Sequence, residues 1–439
     1  MAYAVGLLVL LVGLLVSIAL HEVGHMVPAT RFGVRVSKYM VGFGPTLWSR
    51  TRGETEYGLK AIPLGGYVRL VGMFPPADVV GAKPRAGRFG ELVDAAREQS
   101  AEEIRPGEDH RAFYRLSAPK KAVVMLGGPF MNLVIAAVLL TVVLVGFGVA
   151  GATTTIAVVG DCIRSADEPA DRECTADDEP VPAAVAGLEP GDTLLSYAGQ
   201  PVETWADLQT AIQDTDGADL PMVVERDGEQ VTLTVSPVPT ERPVYDDEGL
   251  PVLDADGEPV TRVTNYLGIG PTSELQPQPL SAVPAALGSA VWQTGAVVVT
   301  LPARLLDVVQ AVLGLEERDQ TSVVGPVGVG RFAGEIASAD APGFGTAERV
   351  ASMLGLIASL NIALFVFNLI PLLPLDGGHV VGAVWEGAKR QVARMRGLPR
   401  PAPADVARMM PVAYGVFAVL AVMGLLLIYA DLVRPVTLG

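Results

Sequence analysis

The sequence predicts a polytopic α-helical membrane protein that carries an acidic, soluble α/β insert. Three observations predict it. Half of the residues are apolar, although aromatics make up only 6%. Four stretches are long enough and free enough of charge to span a hydrocarbon core of roughly 30 Å. Charge is also segregated: residues 27–121 hold 16 Lys/Arg, whereas residues 151–345 hold 8 Lys/Arg against 32 Asp/Glu. A length of 439 residues accommodates two or three domains. The net charge of −16 excludes a nucleic-acid binder that works by broad electrostatic attraction.

The four stretches are Ala2–Leu20, Ala122–Gly160, Val350–Leu375 and Met409–Ala430. The first lacks a basic segment before it and a small-residue cleavage site before His21, so it reads as a retained helix rather than a signal peptide. A fifth uncharged stretch, Val283–Leu301, is rich in Gly, Ala, Thr and Gln and reads as a helix lying on the membrane. Basic loops are retained in the cytoplasm. The amino terminus and the acidic insert are therefore expected outside, and the loops after the first and third spans inside. The expected organisation is a first span with its motif over 1–27, a cytoplasmic loop with β-hairpins over 28–120, and a second span over 121–150. An α/β domain follows over 155–240 with an acidic insert at 161–182, then a linker with membrane-lying helices over 241–345. A third span at 347–376, a second cytoplasmic loop at 377–408 and a last span at 409–432 complete the chain.

In the insert, Gly187-Leu-Glu-Pro-Gly-Asp192 forms a tight-turn signal ahead of an apolar strand at 193–199. Thr204–Asp214 carries helical spacing at Trp205, Leu208 and Ile212. Met222–Val235 alternates around Asp227-Gly228, a two-residue hairpin turn. This pattern resembles a PDZ domain, which implies a groove for an extended peptide. The linker at 241–258 is polar and expected to be mobile. Only Cys162 and Cys174 occur, both in the acidic insert. They could pair in an oxidising compartment or remain free thiols. They are too few for a four-cysteine metal module, so any metal must use other ligands.

The chemistry concentrates at His21-Glu-Val-Gly-His25. On a helix, residues four apart share a face, so both imidazoles can reach one zinc ion, and Glu22 is placed to take a proton from water there. The motif closes an uncharged helix of about 19 residues, roughly 28 Å long. Ionisable groups at such a depth are costly and point to function. A third ligand is needed. Asp376 is the acid at the end of the third span, in Asn368-Leu-Ile-Pro-Leu-Leu-Pro-Leu-Asp-Gly-Gly378. The first and third spans run in the same direction, so His21 and Asp376 arrive at one depth. Pro371 and Pro374 break the helix, and non-helical backbone at that depth is tolerated only within protein or beside water. His379, beyond the two glycines, is a rival ligand.

These motifs resemble the bacterial site-2 proteases, intramembrane zinc metalloproteases that cut anti-sigma factors. Gly128-Pro129 with Asn132, the single PDZ-like domain, Gly325-Pro-Val-Gly-Val329 and the 368–377 motif follow in family order along nearly the whole chain. The resemblance implies Zn²⁺ held by His21, His25 and Asp376, with Glu22 as general base. It implies that Asn368 and Pro371 hold an unwound substrate strand, and that strands at 58–71 form a re-entrant sheet on the cytoplasmic side. Asn132 is a further candidate for hydrogen bonds to the substrate or its oxyanion. The expected substrates are single-pass membrane proteins, anti-sigma factors or remnant signal peptides among them. The expected setting is the bacterial inner membrane and its lipid, with the site near the cytoplasmic face and no nucleic acid involved. The rival reading is a zinc-loaded membrane scaffold that presents its PDZ domain. One departure from the commonest family pattern is the spacing Pro-Leu-Leu-Pro-Leu-Asp.

Overall fold

A computed structural model describes all residues except 84–86, 165–171, 173, 176–177, 216, 245–259, 316–317, 319–321, 341–343 and 437–439. It divides into two compact units, one formed by 1–147 with 278–439, the other by 148–277.

The first unit opens with helix α1 (Ala2–Arg31), one uninterrupted helix through the His-Glu-x-x-His motif. Strands β1 (Val36–Arg52) and β2 (Thr55–Leu70) follow. Both bend: Val41 pairs with Leu59 and also with Gly66, so residues 36–43 lie between 55–60 and 62–70, while 46–52 forms the far edge. Gly42 and Gly65 take φ near +91°, a conformation costly for any other residue, and make the bends. The β-hairpins expected in this loop are present. Short helix α2 (Ala77–Val80) and helix α3 (Arg88–Glu102) precede α4 (Ala118–Thr141), which continues as a π-helical stretch to Phe147. A core of Ala29, Val36, Leu70, Phe113 and Val124 joins the sheet to α1 and α4.

The second unit begins at β3 (Val149–Val159). Helix α5 (Pro182–Ala186) leads through the Pro-Gly turn to β4 (Thr193–Tyr197) and β5 (Gln200–Pro201). Helix α6 (Trp205–Gln213) starts on a capping box in which Thr204 and Asp207 exchange hydrogen bonds. Strands β6 (Leu220–Arg226) and β7 (Glu229–Val235) form the expected hairpin, with Asp227 and Gly228 both at positive φ. Strands β8 (Val238–Pro243), β9 (Thr261–Tyr266) and β10 (Ile269–Gln276) come next. The antiparallel sheet runs β10-β3-β4-β6-β7, and β8 pairs with β9 apart from it. Ile156, Leu194, Tyr197, Leu208, Met222, Val224 and Leu267 fill its core. Two expectations change here. The tail of the second uncharged stretch, 149–159, is a strand, because a Thr-rich, β-branched run suits a sheet better than a helix. The segment expected as linker supplies the end of β8 and all of β9 and β10, and β10 is integral to the sheet. The expected mobile linker lies mostly outside the described residues. Cys162 and Cys174 are joined by a disulfide with a Cα separation of 5.9 Å.

The first unit resumes with α7 (Ala282–Val312), α8 (Pro326–Ser338), α9 (Thr346–Asn368), α10 (Asp376–Met395) and α11 (Met410–Val433). By length and composition, five described helices are apolar enough to cross a membrane: α1, α4 with its extension, α7, α9 and α11 with its first turn. The four expected spans are among them; the fifth is α7, expected as a helix lying on the membrane over 283–301, which continues past Arg304 and Asp307. Residues 377–408, expected as a loop, hold α10. The two glycines suggested a turn, but they fall in the first helical turn, and Ala383, Glu386 and Ala393 give the helix a buried face.

Candidate metal centre

Small residues let the helices of the first unit approach closely enough to build the site. α1 and α4 run antiparallel and touch backbone to backbone: a side chain on Gly24 would meet the Gly127 carbonyl at 2.2 Å, and one on Gly127 would meet the Gly24 carbonyl at 2.0 Å. α1 and α9 run parallel. Ile357 packs against Gly13, and Asn361 Nδ2 donates to Ser17 Oγ at 2.9 Å, one turn before His21. This parallel packing brings the end of α9 to the depth of the histidines.

There the chain turns. The 369–375 segment folds back over the first turn of α10. Side chains on Gly377 and Gly378 would strike the Ile370 carbonyl at 2.3 Å and the Leu373 amide at 2.6 Å, so both positions must be glycine. Asp376 becomes the first residue of α10. Lys121 on α4 fixes that helix: its Nζ donates to Glu386 Oε2 at 2.7 Å, which also accepts from the Ala404 amide at 2.9 Å, while Arg390 reaches Oε1 at 2.6 Å. Glu386 is fully buried. Removing one partner of such a pair would strand a charge, so the cluster holds α10 against α4.

Three donor atoms converge as a result. His25 Nε2 lies 3.2 Å from His21 Nε2, and Asp376 Oδ2 lies 3.4 Å from the first histidine's Nε2 and 3.3 Å from the second's. Zinc bonds of ~2.0–2.1 Å at tetrahedral angles place ligand atoms about 3.3 Å apart, so the donor set fits zinc. Asp376 Oδ2 is buried yet accepts no hydrogen bond of normal geometry, as expected of an atom reserved for a metal. His379 is not among the converging groups.

The surrounding residues are equally specific. His25 Nδ1 donates to the Val124 carbonyl at 2.8 Å. Gly128 faces both rings; a Cβ there would lie 2.2 Å from His25 Nε2 and 2.7 Å from His21 Nε2. Glu22 is buried, and Gly66 on β2 packs directly on its side chain and on Ile18. Tyr39 on β1 donates to the Ala19 carbonyl at 2.7 Å, tying the sheet to the same turn of α1. Asn132, expected at the substrate, is fully buried with its amide 3.1 Å from His21 Nδ1. Asn368, half-buried, ends α9, and Pro371 is exposed in the following loop; neither is among the three converging side chains. The Val124 carbonyl leaves no mark in a sequence, since any residue there offers the same acceptor. Lys121 and Glu386 could have been suspected only as charges inside otherwise apolar helical patterns.

The family model "Peptidase family M50" matches residues 9–398. The chain is 32% identical over 445 residues to zinc metalloprotease Rip1 of Mycobacterium tuberculosis, covering all of both chains. It is 32% identical over 457 residues to the protein of that name from Mycolicibacterium smegmatis, again over the full length of both. It is 30% identical over 408 residues to metalloprotease MmpA of Caulobacter vibrioides, spanning 89% of each. Together with long apolar helices around a zinc-fitting donor set, these similarities show that the chain belongs to peptidase family M50, the site-2 proteases, and is a multi-pass membrane zinc metalloprotease.

Proposed function

We propose that the protein hydrolyses peptide bonds inside single-pass transmembrane substrates, using His21, His25 and Asp376 as zinc ligands and Glu22 as general base. The observation that carries this reading is the convergence of three donor atoms at 3.2–3.4 Å on the C-terminal part of α1, a helix long and apolar enough to cross a membrane. Bound zinc polarises a carbonyl and makes a water acidic enough to attack near neutral pH. The chain's own residues do the rest. Glu22, one residue from His21 on the same helix, takes the water's proton and passes it to the leaving amine. The 62–70 edge of the sheet, seated on the Glu22 turn, offers backbone groups to a strand, since an intact substrate helix hides its carbonyls in hydrogen bonds. The opened backbone of 369–375, between Asn368 and Asp376, faces the same need, and Asn368 and Pro371 are assigned to substrate.

Four helices cross in this reading: α1, α4, α9 and α11. α7 begins where the Gln278 amide donates to Leu144 at the end of the α4 extension. It finishes with Val308 packed on Leu427 and Ala430, near the end of α11. Arg318, shortly beyond, donates to the Arg434 carbonyl at 2.8 Å. The end of α4 and the end of α11 lie on the same side when four helices cross, so α7 lies along that side. The basic loops put the metal near the cytoplasmic face and the 148–277 unit outside. That unit, with its Pro-Gly turn, capped helix and closing strand β10, is assigned as a PDZ domain that receives extended peptide or screens bulky ectodomains. The substrate class is membrane-anchored regulators of the anti-sigma type or remnant signal peptides.

The test is cleavage of a single-pass reporter by purified protein in liposomes, with the cut located by mass spectrometry. Cutting within the reporter's membrane segment, abolished by a zinc chelator and restored by zinc, is the expected result. Zinc-loaded protein that cuts none of several reporters would favour a zinc-bearing scaffold.

A further inference from the structure

Both histidines need an acceptor for the ring nitrogen that does not bind metal, and α4 places a polar group beside each. The converging atoms are Nε2, and an imidazole that ligates through Nε2 carries its hydrogen on Nδ1 and must donate it. His25 donates to the Val124 carbonyl at 2.8 Å. His21 Nδ1 faces the Asn132 carboxamide at 3.1 Å, in a pocket where Asn132 has no exposed surface.

The orientation of that amide is informative. With Nδ2 on His21 Nδ1, the amide would donate to the ring, forcing the hydrogen onto Nε2 and blocking the metal. The far end of the amide, Oδ1 in that orientation, is buried with no partner, so the ring nitrogen is the only group that decides between the two orientations. Rotation of the amide by half a turn exchanges two isosteric ends and leaves the side chain in place. It puts Oδ1 on Nδ1–H and frees Nε2 of His21 for the metal. Val124, Gly128 and Asn132 are four residues apart, so one stripe of α4 presents a carbonyl, a gap and a carboxamide to the two rings. The gap is obligatory, because a Cβ on Gly128 would collide with both Nε2 atoms.

We infer that Asn132 is a positioning residue of the metal centre, accepting the His21 Nδ1 hydrogen through Oδ1, rather than a substrate contact. The inference rests on the zinc-site reading above. It explains why a fully buried amide stands in an apolar helix, where an unpaired polar group is expensive.

The test uses full-length protein in detergent and reads metal binding, with no substrate present. Zinc affinity is measured by competition with a chromophoric chelator, and ligand geometry by the visible spectrum of the Co²⁺ form. Asn132→Leu keeps the volume and removes the acceptor; it should weaken zinc binding about 10- to 100-fold and alter the cobalt spectrum. Asn132→Asp keeps an acceptor and should hold zinc at least as tightly as the wild type. Wild-type affinity and spectrum in Asn132→Leu would overturn the inference. If Asn132→Leu does not fold, Asn132→Asp decides, and weaker zinc binding there would overturn it. Wild-type protein that binds no zinc would instead refute the underlying site.

Discussion

Asp376 and Asp431 are both carboxylates set in the membrane unit, at its two ends, and their surroundings differ in one respect. Asp431, near the end of α11, is 1% exposed and completely partnered. Its Oδ1 accepts from Arg318 Nη2 at 2.9 Å and its Oδ2 from the Gly328 amide in the first turn of α8 at 2.8 Å. Arg331 donates to its main-chain carbonyl at 3.0 Å. Asp376 faces two imidazole nitrogens and has an oxygen that accepts nothing. Burial alone therefore does not distinguish a structural acid from a functional one; an unmet oxygen set between two imidazole nitrogens does. A satisfied carboxylate ties helices together, whereas an unsatisfied one between two histidines awaits a cation.

The comparison predicts opposite phenotypes. Asp376→Asn should abolish zinc binding and reduce cleavage to background while the purified protein stays folded; metal analysis and a thermal melt measure the two separately. Asp431→Ala should leave one zinc per folded chain but strand a buried Arg318, lowering stability by about 3–5 kcal/mol in denaturant or thermal unfolding. Loss of zinc from folded Asp431→Ala would break the distinction. A finer probe is Gly328→Ala: the new methyl would meet Val324 Cγ1 at 2.2 Å and crowd the Asp431 carboxylate. It should destabilise by about 1–3 kcal/mol without altering metal content.

The smallest effect concerns a partnered acid outside the membrane helices. Asp192 closes the Pro-Gly turn of the 148–277 unit, accepting from Arg226 Nε and Nη2 at 2.7 Å each and from the Glu189 amide at 2.9 Å. The Arg226 guanidinium holds its carboxyl below the usual carboxylate range. A depressed folded pKa contributes stability above the unfolded value of about 4, which is lost as pH falls through the folded value. Arg226→Met should thus lower stability on the order of 1 kcal/mol at pH 7, with the gap to wild type closing below about pH 4. A gap that persists unchanged to pH 3 would contradict the assignment.

The convergence of His21, His25 and Asp376 was legible because it follows from helical spacing and span direction. His21 and His25 share a helical face by spacing alone, and the parallel course of two uncharged spans put Asp376 at their depth. The Asp227-Gly228 hairpin and the helix expected over 204–214 were legible because their geometry is local. What escaped depended on tertiary context. Gly377 and Gly378 signal a turn in isolation, yet they are required because the preceding loop lies across a helix. The β10 strand follows a polar stretch and is revealed only by its pairing with β3. The pattern Gly325-Pro-Val-Gly-Val329 was recognisable without being explicable. Its glycines clear space for Asp431, more than 100 residues away in sequence. Asn132 was visible as a polar residue in a membrane helix, but the ring it faces was not.

The most direct measurement compares wild type and Glu22→Gln on a single-pass reporter in liposomes, with bound zinc quantified in the same preparations. The account predicts equal zinc in both proteins and cleavage within the membrane segment slowed about 10²- to 10⁴-fold in the variant. Wild-type cleavage by zinc-loaded Glu22→Gln would contradict it.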